Sequence, residues 1–231
     1  MRLKTWLLST FVVFVIAVNV GLGSASVFAA QEAEQNDYQD HPMKSSIEYV
    51  VKNRLMWLYP DGNFRPDQPV TQADLITSLV SVQNLQTGVA VPELPQGFWA
   101  KVYYERAKAA GMLEGITINP SKQLTREEFA QIVANIWKRY RKSYGSTLYQ
   151  YKIQRLVDSG VLPAKSGIFP NGVSTSKYDG VSEVTRAEQA HALHYLHVDY
   201  LRIIDGEAIA SNFHKSLEVT GGSLRGYVPV H

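Results

Sequence analysis

Three four-residue runs carry the side chains best suited to holding an anion: Thr71-Gln72-Ala73-Asp74, Thr125-Arg126-Glu127-Glu128 and Thr185-Arg186-Ala187-Glu188. In each, a threonine stands where its hydroxyl can cap a helix. An acid three residues on can reach back to the capping residue's own amide. Capping accounts fully for those two residue types, but not for the arginine. A cation at the first helical position lies beside the positive end of the helix dipole, which mildly disfavours it. Free amides, the dipole and a guanidinium fork together suit a carboxylate. Arg126 and Arg186 are therefore candidate anion ligands, with Thr125 and Thr185 beside them; a structural ion pair and plain exposure are the alternatives. Gln72 keeps hydrogen bonding but has no charge, so the first of the three sites is expected to be weaker or put to another use. Trp99 opens a helix, where it would either pack in the core or stack on a sugar ring.

Other chemistries fit less well. His191, His194 and His197 recur every three residues, a step that drifts around a helix and cannot aim all three rings at one ion. They read as half-buried or surface histidines, and the sequence calls for no metal. Asp61, Asn63 and Asp67 lack the later glutamate of a calcium loop and read as turn residues. The basic run Lys138-Arg139-Tyr140-Arg141-Lys142 suits a solvated helix end. No Gly-x-Ser-x-Gly, His-Glu-x-x-His or phosphate-binding loop is present, and no cofactor is implied. A non-enzymatic function is expected. The chain also has no cysteine, which excludes disulfides, thiol catalysis and a lipid anchor on cysteine.

The N-terminus has Arg2 and Lys4, an apolar run from Leu7 to Val20, and Val27-Phe28-Ala29, which satisfies the small-x-small cleavage rule. Residues 1–29 are expected to be a signal peptide, leaving no stable membrane span once it is cleaved. The chain carries 23 basic and 21 acidic residues. Losing Arg2 and Lys4 brings the rest close to neutrality, so no basic field for nucleic acid exists.

The elements that must position the three runs follow from periodicity. Residues 30–39 are polar and acidic, a flexible start. Ile47, Val50, Val51 and Leu55 form one helical stripe, and Leu75, Ile76, Leu79 and Val80 form another beyond the loop Pro60-Asp61-Gly62. Residues 86–97 read as a linker. Trp99, Val102, Tyr103, Arg106, Ala107 and Ala110 precede Gly111, a C-cap. Phe129, Ile132, Val133, Ile136 and Trp137 give a firm amphipathic helix. Leu148, Tyr151, Ile153, Leu156 and Val157 lead to Gly160, and a Gly-, Ser- and Asn-rich loop follows from Ala164 to Glu183. Ala190, Leu193 and His194 mark the last helix, expected to run to about Ile204, break at Asp205-Gly206 and resume briefly before a loose tail. The capping threonines are 54 and 60 residues apart, which marks an internal repeat.

These residues resemble the S-layer homology domain. The family pattern runs Trp-Ala, apolar helix, Gly-Ile, a Tyr-Pro-Asp-Gly-Thr-Phe-like loop, Arg-Pro, then Thr-Arg-Ala-Glu and a second helix. Tyr59 to Asp74 matches almost throughout. Trp99-Ala100, Gly111-Met112 and Thr125 to Glu128 supply a second copy; Gly160-Val161, Phe169-Pro170 and Thr185 to Glu188 supply a third. The first copy departs from the pattern at Pro42 (Trp in the family), Arg54 and Leu58 (Gly) and Gln72 (Arg). The resemblance implies an all-α fold of three helix–loop–helix units packed with pseudo-threefold symmetry. Its units would be residues 40–85, 98–142 and 143–197, followed by a helical extension and tail, 198–231. It also implies a secreted protein of the bacterial cell wall or surface that binds an acidic or pyruvylated wall polysaccharide. The alternative is a degenerate scaffold that contacts other envelope proteins.

Overall fold

The computed structural model describes residues 36–141 and 152–220, with side chains to residue 208. The expected signal peptide, Leu148, Tyr151 and the tail from residue 221 lie outside the described residues. Six helices occur among those described: α1 (Lys44–Lys52), α2 (Gln72–Val82), α3 (Lys101–Ala109), α4 (Arg126–Trp137), α5 (Lys152–Asp158) and α6 (Arg186–Thr220). A two-stranded antiparallel hairpin joins β1 (Gly167–Ile168) to β2 (Ser174–Thr175). The fold is all-α apart from that hairpin.

The apolar stripes read from the sequence face one continuous core. Ile47, Leu75, Ile76, Leu79, Phe129, Val133, Ile136, Trp137, Leu156 and Leu193 are all fully buried. Each such aliphatic or aromatic side chain contributes about 1.5–3 kcal/mol when removed from water. The helices pair across the chain's order: α2 packs on α3, α4 on α5, and α6 returns to α1.

At the centre the backbone closes a ring. The Leu124 amide donates to the Val70 carbonyl (2.9 Å), Val184 to Leu124 (3.0 Å), and Val70 to Val184 (2.9 Å). One step outward, Gln72 donates to Lys122, Arg126 to Ser182 and Arg186 to Gln68, each at 2.9 Å. The first turns of α2, α4 and α6 thus give amides that have no intrahelical partner to the next loop in the cycle. Capping boxes fix all three starts. Thr71 and Thr125 each accept from the amide three residues on while that residue's carboxylate accepts from theirs. Thr185 and Glu188 exchange the same bonds at 3.2 and 3.1 Å.

Three expectations need correction. Residues 36–39 were expected to be flexible, but Asp37 accepts from the Phe64 and Arg65 amides at 2.8 and 2.6 Å, and Tyr38 is buried against Phe64. The helix expected to break at Gly206 runs unbroken to Thr220. A glycine inside a helix costs only about 1 kcal/mol, which is too little to end one. The loop from Ala164 to Glu183 holds the hairpin, whose Gly167 is required because a Cβ there would meet Asp179 at 2.1 Å.

Histidines tie α1 to α6. His194 stacks on Tyr49 with ring centroids 3.8 Å apart and its Nδ1 lies 3.2 Å from Ser46 Oγ; Tyr49 Oη lies 2.9 Å from His197 Nδ1. Burial pushes both imidazoles below their ordinary value, helped by the neighbouring His191 and His194 respectively. The fold therefore favours the neutral rings. Their contribution is present above the unfolded imidazole value of about 6.5 and is lost as pH falls through it toward the lower folded values. The melting temperature should fall between pH 7 and pH 5, and by less in the double variant His194→Gln, His197→Gln. An equal fall in both proteins would refute the assignment.

Candidate functional site

The candidate binding residues divide according to what surrounds them. Arg126 is completely buried. Its Nε donates to the Asp179 carbonyl at 2.8 Å, Nη2 to the Pro163 carbonyl at 2.6 Å and Nη1 to the Glu188 carboxylate at 2.6 Å. Every nitrogen of the guanidinium is engaged, so the expected anion ligand is instead a strut between α4, the 163–179 loop and α6. Gln72 is likewise enclosed. Its Nε2 donates to Thr117 at 2.9 Å, and its Oε1 accepts from Tyr104 at 3.0 Å and the Asn119 amide at 2.9 Å. The Thr125 and Thr185 hydroxyls are occupied as caps.

Arg186 differs. Its Nε donates to the Phe64 carbonyl at 2.8 Å and its Nη2 to the Trp57 carbonyl at 2.9 Å, but no carboxylate pairs with it. The geometry explains why. Arg126 meets Glu188, the capping-box acid of the next helix in the cycle. The corresponding acid for Arg186 is Asp74, one methylene shorter, whose Oδ2 is taken by the Thr71 amide and hydroxyl at 3.0 and 2.7 Å. Arg186 is thus a buried cation, 7% exposed, with no ion-pair partner among the described residues. It lies over the Tyr59 and Phe64 rings at 4.9 and 4.7 Å, contacts that favour a cation. Burial pushes its guanidinium down from the usual value, opposed by Tyr59 and Asp74.

Arg186 opens onto a groove of about 300 Å³ formed by the loop after α1, the outer face of α2 and the start of α3. Trp57 and Trp99 line it and are each 66% exposed; Tyr59 and Tyr103 complete the aromatic wall. Exposed tryptophans are uncommon, because leaving such area in water forfeits a large transfer free energy. Thr77 and Ser81 also line the groove. Their hydroxyls donate to backbone carbonyls of α2 at 2.9 and 2.8 Å, which leaves oxygen lone pairs to accept. Gln189 Oε1, at the floor, is a buried acceptor without a partner. A groove with aromatic faces, hydroxyl acceptors and a buried guanidinium that forms no ion pair among the described residues suits a sugar chain that bears negative charge.

Among the described residues the two comparable grooves lack this combination. One holds Gln72, Thr117, Glu128 and Gln131, with its lysine, Lys122, ion-paired to Glu128. The other lies between α1 and α6 and is lined by Ser46, His191, His194, Tyr195 and Arg202; it has no exposed tryptophan, and its arginine is exposed to solvent instead of buried. Of the expected residues, the structure brings only Arg186 and Trp99 together. Sequence reasoning missed Trp57, because Leu55-Met56-Trp57-Leu58 reads as core. In the structure its ring is instead exposed and lines the groove. The Phe169-Pro170 match read from the sequence extends in the structure through Asn171-Gly172-Val173, which repeats the loop at Tyr59. Phe169 donates to Val173 at 2.9 Å as Tyr59 donates to Asn63 at 2.8 Å, and Gly172 and Gly62 both have positive φ. The Asn-Gly pair was the available signal.

Breaking the Arg126 strut leaves Glu188 buried and unpaired. Arg126→Ala should cost about 3–5 kcal/mol of stability. The double variant Arg126→Met, Glu188→Gln should recover part of that loss, as measured by urea unfolding. A loss within about 0.5 kcal/mol, the range of ordinary surface substitutions, would contradict the strut.

Comparison with known proteins agrees with this geometry where it reaches. Residues 36–76 match the S-layer homology domain. Over 98 residues, 38% of the chain, it is 31% identical to the cellulosome-anchoring protein of Acetivibrio thermocellus, covering 22% of that protein. Over 130 residues, 48% of the chain, it is 26% identical to cell surface glycoprotein 1 of the same organism, covering 6% of it. The chain thus spans a minor part of the length of these relatives. The matched segment, Asn36 to Ile76, carries the Tyr59–Pro60–Asp61–Gly62 loop and the first capping box.

Proposed function

We propose that the protein is a non-catalytic cell-wall-binding module that holds an anionic wall polysaccharide, acidic or pyruvylated, in the groove between Trp57 and Trp99. In this reading residues 40–85, 98–142 and 143–197 are three S-layer homology units closed around the central ring. The observation that carries it is Arg186, a buried cation without an ion-pair partner on a groove walled by exposed aromatic rings. A carboxylate entering the groove meets a charge already desolvated and oriented, so little reorganisation opposes binding. The surface and anchoring names of the two relatives support the same reading. Export by the expected signal peptide belongs to the same proposal.

A second reading, a scaffold for another envelope protein, draws on the same exposed Trp57 and Trp99, which fit a protein partner's apolar side chains as well as a sugar ring. Sacculi stripped of protein separate the two. The chain from Ala30 onward should co-sediment with them, and Trp57→Ala with Trp99→Ala should weaken retention roughly tenfold or more with the melting temperature unchanged. Equal retention of variant and wild type, or no retention of wild type, would overturn the wall-binding reading.

A further inference from the structure

The turn that precedes Trp57 is built on an arginine in an unfavourable conformation. Helices α1, α3 and α5 end in one pattern. In α3, Gly111 donates to Lys108 and Met112 to Ala107; in α5, Gly160 donates to Val157 and Val161 to Leu156. In α1, Arg54 donates to Val51 at 3.1 Å and Leu55 to Val50 at 2.8 Å, which puts Arg54 at the glycine position. All three are left-handed, with φ of +57° at Arg54, +76° at Gly111 and +75° at Gly160. A side chain there strains the backbone, and glycine relieves that strain.

No hydrogen bond or ion pair of its side chain among the described residues compensates for it. Arg65, also left-handed at φ +58°, pairs with Asp61 at 2.9 Å and stacks 3.9 Å from the centre of the Tyr59 ring. Arg54 is exposed, and its side chain meets no hydrogen-bond or ion-pair partner among the described residues. Packing does not call for it either, since a Cβ at Gly111 or Gly160 would meet nothing within 4 Å. The C-terminal dipole of α1 already has Lys52 in its last turn. Yet Arg54 lines the same groove as Arg186, Trp57 and Trp99.

Resting on the wall-polysaccharide reading of that groove, we propose that Arg54 is a ligand-gripping residue at its mouth. It pairs with a second negative group of the bound polymer while Arg186 takes the first. The groove is then selective for a chain with recurring anionic groups over one with a single charge. Two cations without ion-pair partners among the described residues line one groove and suit two anionic groups: the exposed Arg54 guanidinium can engage its group by a forked, charge-assisted bond, while Arg186 offers the nitrogen its two carbonyl bonds leave free. Carboxylate and phosphate share this chemistry.

The test is co-sedimentation of the chain from Ala30 onward with protein-free Gram-positive sacculi that retain their anionic polysaccharide, comparing wild type, Arg54→Gly and Arg54→Lys. Arg54→Gly should melt about 2 °C higher, because strain is relieved, yet bind roughly tenfold more weakly. Arg54→Lys should fall between the two. Amidating the sacculus carboxyl groups should abolish the difference between wild type and Arg54→Gly if the second group is a carboxylate, and preserve it if that group is a phosphate. Wild type retained with Arg54→Gly retained equally would overturn this inference alone. Wild type not retained at all would overturn the wall-binding reading beneath it.

Discussion

Everything in this structure depends on three backbone amides that satisfy one another in a circle. Val70, Leu124 and Val184 stand two residues before the starts of α2, α4 and α6, and each donates to the carbonyl of another. Each of these donors and acceptors, left unpaired at the buried centre, would cost about as much as a lost hydrogen bond. Three close the set. The closure also sets the direction of the helices. Each helix start faces a loop that lies far away in sequence and contributes its first-turn amides to that loop.

That arrangement turns the first helical side chain of each run inward. Gln72, Arg126 and Arg186 are the same device with three outcomes. Gln72 reads the 117–119 backbone as a neutral amide. Arg126 reads two carbonyls and finds Glu188. Arg186 reads two carbonyls and finds no acid, because Asp74 is one methylene too short. A difference of one CH₂ in the capping acid thus separates a closed ion pair from a buried cation that faces a groove. The exposed Trp57 and Trp99 lie on that same groove.

What could be read from the sequence, and what could not, follows the range of the interactions. The capping threonines and the apolar stripes of α2 and α4 were legible because caps and periodicity are local. The burial of Arg126 was not, since its partners Pro163, Asp179 and Glu188 come from 37 to 62 residues away. Tryptophan usually signals core, so the type of Trp57 points the wrong way, and only the folded structure reveals its exposure. Asp37 reads as one acid in a polar leader, yet it caps the amides of Phe64 and Arg65. Gly206 reads as a stop, but its cost is small beside the helix that surrounds it.

Native-state hydrogen exchange at Val70, Leu124 and Val184 tests the closed ring most directly. If the ring is the constraint on which the fold rests, no one of the three bonds can open without the others. All three amides should then exchange with one opening free energy, equal to that of global unfolding. Exchange of any one of them through a cheaper, local opening would contradict the account.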